Sequence, residues 1–209
     1  MAKQKRDAEA TKAKILRSAI TLFSKNGFDA TTVDDIAKES AFNKALIYYY
    51  FKNKAGLYET VMSSLFDAIY AEVVESKKYC ISAQEELFAF IKTYADYAQT
   101  HPYFPALLLR ELSDSGAHLP EMMFASMRRL FVLLSDILRR GEAEGVFKKS
   151  IPMVIHFMII GTLNLLVTTK PLRIQAAQIE SEVDTCSECS MDEIAEYIFT
   201  TIKTALEVR

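Results

Sequence analysis

Residues 31–54, TTVDDIAKESAFNKALIYYYFKNK, constrain the fold more than any other segment of this chain. Thr32 and Asn43 are residue types that begin helices, because their side-chain oxygens accept hydrogen bonds from free N–H groups of the first turn. Behind the second cap, Ile47, Tyr50 and Phe51 stand at i, i+3 and i+4, which places all three on the inward face. The segment predicts two short helices joined by a tight turn. This is the helix-turn-helix arrangement, whose second helix enters the major groove of DNA.

The outer face of the second helix is basic and aromatic. Lys44, Leu46, Tyr48 and Tyr49 remain for this face once the inward positions are assigned. Lysine and tyrosine side chains donate hydrogen bonds to phosphate oxygens, so the face suits a nucleic-acid backbone. A run of tyrosines is also compatible with ordinary half-buried packing, and the pattern alone leaves both interpretations open.

Residues 31–37 (TTVDDIA) and 47–54 (IYYYFKNK) resemble the TetR family of transcriptional regulators, whose patterns are T-[TV]-x-x-I-A and L-Y-x-[HY]-F-x-x-K. The resemblance covers about 45 residues, 15–57. The chain departs from the family at Ala41, where the turn usually has glycine, and a left-handed alanine costs about 1 kcal/mol. It also departs at Leu46, which can touch a thymine methyl group but cannot hydrogen-bond a base edge.

The resemblance assigns DNA contacts to individual positions. Those expected to hold phosphates match Thr32, Tyr48, Tyr50 and Lys54. Those expected to approach bases or the neighbouring backbone match Lys44, Ala45, Leu46 and Tyr49. Asn43 completes the set as the cap of the second helix, where the family usually has serine or threonine.

The charge is divided unevenly along the chain. Residues 1–54 contain 11 lysines and arginines against 6 acids, whereas residues 55–209 contain 14 against 21. A basic end on an acidic body is typical of a protein that touches nucleic acid with one part only. Lys3, Lys5 and Arg6 are predicted to form a disordered arm that follows phosphates or a minor groove, and an ordinary solvated tail is the alternative.

Apolar residues at helical spacing, with only 11 glycines and prolines, predict an all-α fold of about nine helices. Residues 1–53 are expected to form a three-helix DNA-binding domain, and residues 54–209 a helical domain for ligand binding and dimerisation. The first helix is predicted over residues 7–26, ended by Gly27. Ser150 is predicted to cap a helix over residues 151–169, and residues 171–189 are predicted to be a loop.

The resemblance implies a dimer interface on the last two helices and a ligand cavity among the middle helices. The expected interface residues are Ile155, Ile159, Thr162, Leu166, Ile194, Tyr197, Ile198, Thr201, Ile202 and Ala205. The cavity candidates are large or soft side chains, each of which is also compatible with plain core packing: Phe88, Ile91, Tyr94, Phe104, Leu108, Met123, Phe124, Met127, Phe131, Phe157, Ile160 and Asn164.

Other classes of protein receive less support. The sequence has no nucleophile with a base and no glycine-rich phosphate loop, so an enzyme and a cofactor are not expected. Cys186 and Cys189 form a single C-x-x-C, which supplies only two of the four ligands of a zinc site, so a metal site is not expected. A redox or metal-sensing role for this pair is the alternative to loop cysteines without a role. A helical bundle that only binds proteins remains a rival, as does a membrane span over residues 151–167. Without a secretory signal, Cys80, Cys186 and Cys189 are expected to be reduced thiols in a cytoplasm.

These observations predict a DNA-binding transcriptional regulator. Its expected partners are double-stranded operator DNA, a second copy of the chain and a small hydrophobic effector, with no membrane. Most proteins that it resembles are repressors that an effector releases from the operator, although the sequence leaves the sign of control open. The identity of the effector and the operator sequence do not follow from these residues.

Overall fold

The computed structural model of the chain describes residues 2–118, 121–179 and 185–208. These residues form ten α-helices and no β-sheet, which confirms the expected all-α fold. The helices are α1 (Ala2–Ala30), α2 (Val33–Ser40), α3 (Lys44–Phe51), α4 (Lys54–Ser76), α5 (Ala83–Thr100), α6 (Tyr103–Ser113), α7 (Glu121–Ala143), α8 (Pro152–Thr168), α9 (Lys170–Ile179) and α10 (Met191–Leu206).

The chain folds as two compact units. Unit 1 comprises Met1–Phe66 and Ala106–Ser126, and unit 2 comprises Asp67–Pro105 and Met127–Arg209. Helices α4, α6 and α7 therefore contribute residues to both units. The compact units divide inside α4, so the functional boundary predicted between residues 53 and 54 stays a prediction.

The bend near the end of α1 depends on a glycine. Gly27 has φ 84° and ψ 175°, a conformation that is open almost only to glycine. The predicted break falls here, but the helix resumes for one more turn and ends at Ala30. The buried hydroxyl of Thr31 donates to the Gly27 carbonyl at 2.7 Å, which fixes the path of the chain into α2.

Unit 1 has its own apolar core. One row of α1 meets the inward rows of α2 and α3 and the first turns of α4, as their helical spacing requires. Phe23 and Tyr58 pack edge to face, with ring centroids 4.8 Å apart. The fully buried members of this core are Ile15, Ala19, Phe23, Ile36, Ile47, Leu57 and Tyr58.

Helix α5 is the centre of unit 2, and both α8 and α10 pack against it. The inward row of α10 is Ile194, Ile198 and Ile202, all buried within the chain. On α8, the buried Asn164 accepts a hydrogen bond from the hydroxyl of Tyr94 at 3.1 Å. Burial of these rows is the main source of stability in this unit, at about 25 cal/mol for each Å² of apolar surface.

A buried ion cluster adds to unit 2. Glu86 is only 6% exposed and lies 3.0 Å from the ammonium of Lys77 and 2.7 Å from the guanidinium of Arg140. Burial alone would raise the pKa of Glu86. The hydrogen bonds from the two cations outweigh burial and hold the pKa of this carboxyl below its usual range.

Three boundary predictions were wrong. Residues 170–179 are helix α9 rather than loop, because Pro171 stands in the first turn, where its missing N–H has no intrahelical partner to lose. Ile151, and not Ser150, occupies the cap position of α8, without a side-chain capping bond. The backbone is already helical at Ala2, which contradicts a disordered arm at residues 3–6.

The cysteines also differ from expectation. A disulfide joins Cys186 and Cys189, immediately before α10, so the prediction of reduced thiols was wrong for this pair. Cys80 is a free thiol. Burial, followed by the nearby carboxylates of Glu85 and Glu86, raises the pKa of Cys80 and keeps it protonated at neutral pH.

No single helix in the described part of the chain is long and apolar enough to cross a membrane. Helices α8 and α9 reach that length and composition only when taken together, and they are bent by 64° relative to each other.

Candidate nucleic-acid interface

Helix α2 begins with the cap that the sequence predicts. The hydroxyl of Thr32 accepts from the N–H of Asp35 at 3.2 Å, and the Asp35 carboxylate accepts from the N–H of Thr32 at 3.1 Å. These reciprocal bonds form a capping box. The hydrogen bonds from Thr32 also lower the pKa of Asp35, so the box remains intact at neutral pH. Thr32 is thus fixed at an exposed helix start.

The turn between α2 and α3 has the geometry expected from its sequence. Ala41 is left-handed, with φ 59°, and its N–H bonds the last carbonyls of α2. Asn43 then caps α3, and its side-chain oxygen accepts from the N–H of Leu46 at 2.8 Å. Asn43, Lys44 and Ala45 are exposed at the start of α3, and a helix start favours an anion such as phosphate.

Helix α3 separates an inner face from an outer face. Ile47 and Phe51 are buried in unit 1. Tyr49 is 79% exposed and Tyr48 44% exposed, and the side chains of Lys44 and Ala45 are also exposed. Lys44 precedes Tyr48 by one turn, as Ala45 precedes Tyr49, so two neighbouring rows face outward. Leu46 and Tyr50 are half-buried at the edges of this surface.

The lysine on this face has an acidic neighbour. The ammonium of Lys44 lies 2.6 Å from the carboxylate of Asp34 in the first turn of α2. The hydrogen bond to Asp34 raises the pKa of Lys44, so the group is charged at neutral pH. Exposed ion pairs contribute between 0 and about 1 kcal/mol. A phosphate can therefore replace Asp34 as the partner of Lys44 at small cost.

Lys54 makes its observed contacts within unit 1. Its ammonium donates to the carbonyl of Phe28 at 2.9 Å and lies 4.2 Å from the centroid of the Phe28 ring. The side chain thus holds the end of α1 against the start of α4. The role expected from the resemblance, direct contact with phosphate, stays a prediction, and the structure assigns this lysine a structural contact within the unit.

The junction between α3 and α4 is tight. Lys52 has φ 67°, and the N–H of Asn53 donates to the carbonyl of Phe51 at 2.8 Å. These three residues form a γ-turn with a positive φ at its centre, which is the rare and strained form. The side chain of Asn53 caps α4 by accepting from the N–H of Gly56 at 2.7 Å. A Cβ on Gly56 would lie 2.4 Å from the Phe51 carbonyl oxygen, so glycine is required for this approach.

Helix α6 is attached to α4 and α1 within unit 1. Glu111 is 2% exposed, accepts a hydrogen bond from the hydroxyl of Tyr58 and raises the pKa of that phenol together with burial, which is the larger cause. The guanidinium of Arg110 donates to the Lys25 carbonyl at 3.4 Å. The predicted face is thus built on helices with several fixed attachments within unit 1.

Some of the candidate cavity residues are buried, whereas others are half-buried or exposed. Phe124 and Phe157 are 56% and 61% exposed, because each stands two residues, or about 200° around the helix, from a buried position. These two do not line an enclosed space within the chain. The side chain of Met123 lies outside the described residues. Buried candidates are Ile91, Tyr94, Phe104, Leu108, Ile160 and Asn164, and half-buried ones are Phe88, Met127 and Phe131.

The expected dimer residues fall into two groups. Those buried within the chain are Ile155, Ile159, Ile194, Ile198 and Ile202; they face inward because α5 packs against both α8 and α10. Thr162, Tyr197, Thr201 and Ala205 are exposed, and Leu166 is half-buried. The outward face of α8 also carries apolar side chains that were not among the expected interface residues, namely Val154, Phe157, Met158 and Leu165; of these, Phe157 was expected in the cavity.

Unit 2 also contains a cleft that the sequence did not indicate. Its volume is about 390 Å³, and it lies where the end of α8 meets α9, the start of α10 and the end of α5. None of the expected cavity residues with a described side chain lines it. The lining residues are Gln99, Pro102, Leu166, Val167, Lys170, Pro171, Arg173, Ile174, Cys189, Met191 and Ile194. The signal that could have found it is Pro171, read as the start of a helix.

Metal binding finds no support in the described residues, which contain no group of three or more His, Cys, Asp or Glu side chains placed to hold an ion. The chemistry of the surface is therefore that of lysine ammonium, tyrosine hydroxyl and helix N–H groups. These groups bind phosphates and base edges without a cofactor.

The capped α2–turn–α3 unit with an exposed basic and aromatic second helix defines a helix-turn-helix DNA-binding protein. A model for bacterial regulatory proteins of the tetR family matches residues 15–61. A model for the tetracyclin repressor-like C-terminal domain matches residues 84–182. The chain belongs to the TetR family of bacterial regulatory proteins, and it is a transcriptional regulator rather than an enzyme.

Two named relatives are HTH-type transcriptional regulators, and a solved structure of another regulator has a similar fold. "Probable HTH-type transcriptional regulator YttP" of Bacillus subtilis is 31% identical over 153 residues, 72% of each chain. The HTH-type transcriptional repressor SCO4008 of Streptomyces coelicolor is 29% identical over 171 residues, 80% of this chain and 84% of its own. The transcriptional regulator FadR from Bacillus subtilis, solved in complex with stearoyl-CoA, aligns with a TM-score of 0.73 at 20% identity, over 93% and 99% of the chains.

Proposed function

We propose that this regulator is a homodimeric repressor that binds a two-part operator and leaves it when a small, mostly apolar effector binds the body of the protein. The observation that carries the proposal is the outer face of α3, where Lys44, Tyr48 and Tyr49 stand exposed on a helix capped by Asn43 and anchored by its buried residues. Repression is favoured because SCO4008 is named a repressor. Its place of action is the DNA in the cytoplasm.

Phosphate contacts and base contacts have separate sources on this face. Tyr48, together with Thr32 at the start of α2, is proposed to hold the phosphate backbone and to set the register of the protein on DNA. Tyr49 and Ala45, on the next row, are proposed to enter the major groove. Leu46 supplies an apolar contact at the edge, which favours a thymine methyl group.

Dimerisation is proposed to use the outward face of α8 rather than the buried rows. Val154, Met158, Gly161 and Leu165 follow one another at intervals of four, three and four residues, which is the seam spacing of packed helices. A Cβ on Gly161 would meet nothing within 4 Å, so a second helix has room to approach there. Tyr197 of α10, 76% exposed, is proposed to extend the surface.

Effector control is proposed to act through the spacing of the two heads. Half-sites one helical turn of DNA apart lie about 34–36 Å from each other, so a dimer binds well only when its recognition helices match that spacing. Helix α4 runs without interruption from unit 1 into unit 2. An effector that prefers the mismatched state by about 1–3 kcal/mol releases the operator at modest excess.

The proposal is tested by selecting an operator from a random-sequence duplex library and measuring its affinity with and without candidate effectors. A two-part site with half-sites one or more helical turns apart, protected by a dimer, is expected. Because linkage is reciprocal, an effector that weakens operator binding by some factor must itself bind the DNA-bound protein more weakly by the same factor. Enrichment of no duplex sequence would contradict the proposal.

A further inference from the structure

We infer that the cleft at the junction of α8, α9 and α10 is a binding site for a small amphipathic carboxylate, with an apolar tail and an anionic head. The inference deepens the proposed function, because it names the chemical class of one effector. The site is distinct from the expected cavity among the middle helices, since none of those candidate residues with a described side chain lines it.

The size and lining of the cleft fix the kind of molecule. A volume of about 390 Å³ falls within the usual range for small-molecule sites, roughly 300–1,000 Å³. Most of its wall is aliphatic, from Leu166 and Val167 of α8, Ile174 of α9, and Met191 and Ile194 of α10. Such a wall accepts a hydrocarbon chain or an unsubstituted ring, at about 25 cal/mol for each Å² of apolar surface removed from water.

The charged residues of the wall, among those that the structure describes, are cationic. Lys170 and Arg173 line the cleft, and no described aspartate or glutamate does. The nearest acids on α10 have other partners: Asp192 lies 2.8 Å from the ammonium of Lys92, and Glu193 closes the capping box of Ser190. An anionic head is therefore attracted to this cleft, and a cationic one is repelled.

Arg173 shows which atoms are free for such a head. Its Nη1 donates to the carbonyl of Thr185 at 3.1 Å and also to that of Cys186, and its Nη2 donates to that of Leu166 at 2.7 Å. Its Nε–H is buried and has no acceptor among the described residues. A buried donor without a partner costs about 1–3 kcal/mol, so an acceptor that reaches Nε recovers this cost.

Arg173 and Lys170 have different roles at the cleft. Arg173 joins the backbone before α10 to the end of α8, so it shapes the cleft and contributes positive charge to its wall. Lys170 is exposed at the start of α9 and holds none of these backbone carbonyls. Removing its ammonium therefore tests recognition of the anionic head without disturbing the wall of the cleft. A hydrogen bond from an ammonium to a carboxylate is charge-assisted and is stronger than one between neutral groups.

The test measures binding of octanoate and 1-octanol to the DNA-free protein by calorimetry at pH 7. These probes share a tail and differ in the head. Octanoate should bind one site per chain at least ten-fold more tightly than 1-octanol, in line with the strength of hydrogen bonds to charged groups. In Lys170→Met this preference should fall roughly ten-fold, whereas Lys149→Met, an exposed lysine outside the cleft, should behave like the wild type.

A second variant places a carboxylate in the wall. Ile174→Glu alters a residue that is 40% exposed, so the fold is retained, and it should weaken octanoate much more than 1-octanol. Equal affinity for the two probes, or equal behaviour of Lys170→Met and Lys149→Met, would overturn the site.

Operator affinity measured with octanoate present separates this inference from the proposed function. Octanoate binding with the predicted head preference, but without change in operator affinity, would uphold the site and count against induction through it. Failure of the protein to bind any operator would count against the proposed function, and the calorimetry would still decide the site.

Discussion

His156 gives a pH prediction that depends on one buried atom. The ring lies on α8 between the rings of Phe131 and Phe157, with centroids 5.5 Å and 5.8 Å away. Its Nδ1 is buried and has no hydrogen-bond partner among the described residues. Burial lowers the pKa of His156 to about 4, from an ordinary value of 6.5, because charge on the ring would be poorly solvated.

The sign and size of the effect follow by linkage. The unfolded chain takes up the proton first, so the stability that neutral His156 contributes is complete above pH 6.5 and is lost as the pH falls towards 4. Between pH 7 and pH 5 the loss would be about 1.8 kcal/mol at most. The ring is partly open to solvent, which reduces the expected loss to about 1 kcal/mol.

His156→Leu removes the titrating ring and keeps a similar apolar volume. The assay is urea unfolding of wild type and variant at pH 7 and pH 5, at one protein concentration because dimerisation makes stability depend on it. The variant should be at least as stable at pH 7 and should lose about 1 kcal/mol less on acidification. Both proteins contain all the other titrating groups, so the difference between their losses of stability isolates the contribution of His156. Equal losses in both proteins would refute the argument.

Three further outcomes follow from the packing. Leu165→Glu should convert a dimer to a monomer in sedimentation, whereas Ile81→Glu, at a 90% exposed position that belongs to neither α8 nor α10, should stay dimeric. Gly56→Ala should destabilise unit 1 by about 1–3 kcal/mol in thermal melts, because its Cβ meets the Phe51 carbonyl, and unchanged melting would contradict the close approach. Glu86→Gln should lower the free energy of unfolding by about 2 kcal/mol at pH 7 and by much less near pH 3. The stability that the ionised carboxyl contributes is complete above the pKa it has in the unfolded chain, and it is lost as the pH falls through the lower pKa of the folded protein.

The DNA-facing segment was the most predictable part of the chain because its signals are local. Thr32, Ala41 and Asn43 act on backbone groups within a few residues of themselves, so their roles can be read from spacing alone. Lys54 shows the limit of this approach. Its partner, Phe28, is 26 residues away, and no local pattern indicates that the ammonium turns towards the end of α1.

The body was less predictable because helical periodicity shows that a face is buried and not what covers it. Ile198 and Ile202 form a clean apolar row, which the sequence reasoning gave to a partner subunit, whereas α5 of the same chain covers it. A glutamate at Ile198 would therefore test folding more than dimerisation. Helix α9 was missed because Pro171 both ends one helix and begins the next.

The central claim, that α3 is the surface that binds DNA, is tested most directly by the salt dependence of operator affinity. The variant carries Lys44→Ala with Tyr48→Phe, and the matched control carries Lys78→Ala with Tyr79→Phe, an exposed pair just after α4 in unit 2. The first variant should bind the operator roughly ten- to fifty-fold more weakly, with the slope of log affinity against log salt reduced by about 1. The control should match the wild type in both. Unchanged affinity and slope in the first variant would contradict the assignment of α3 as the DNA-binding surface.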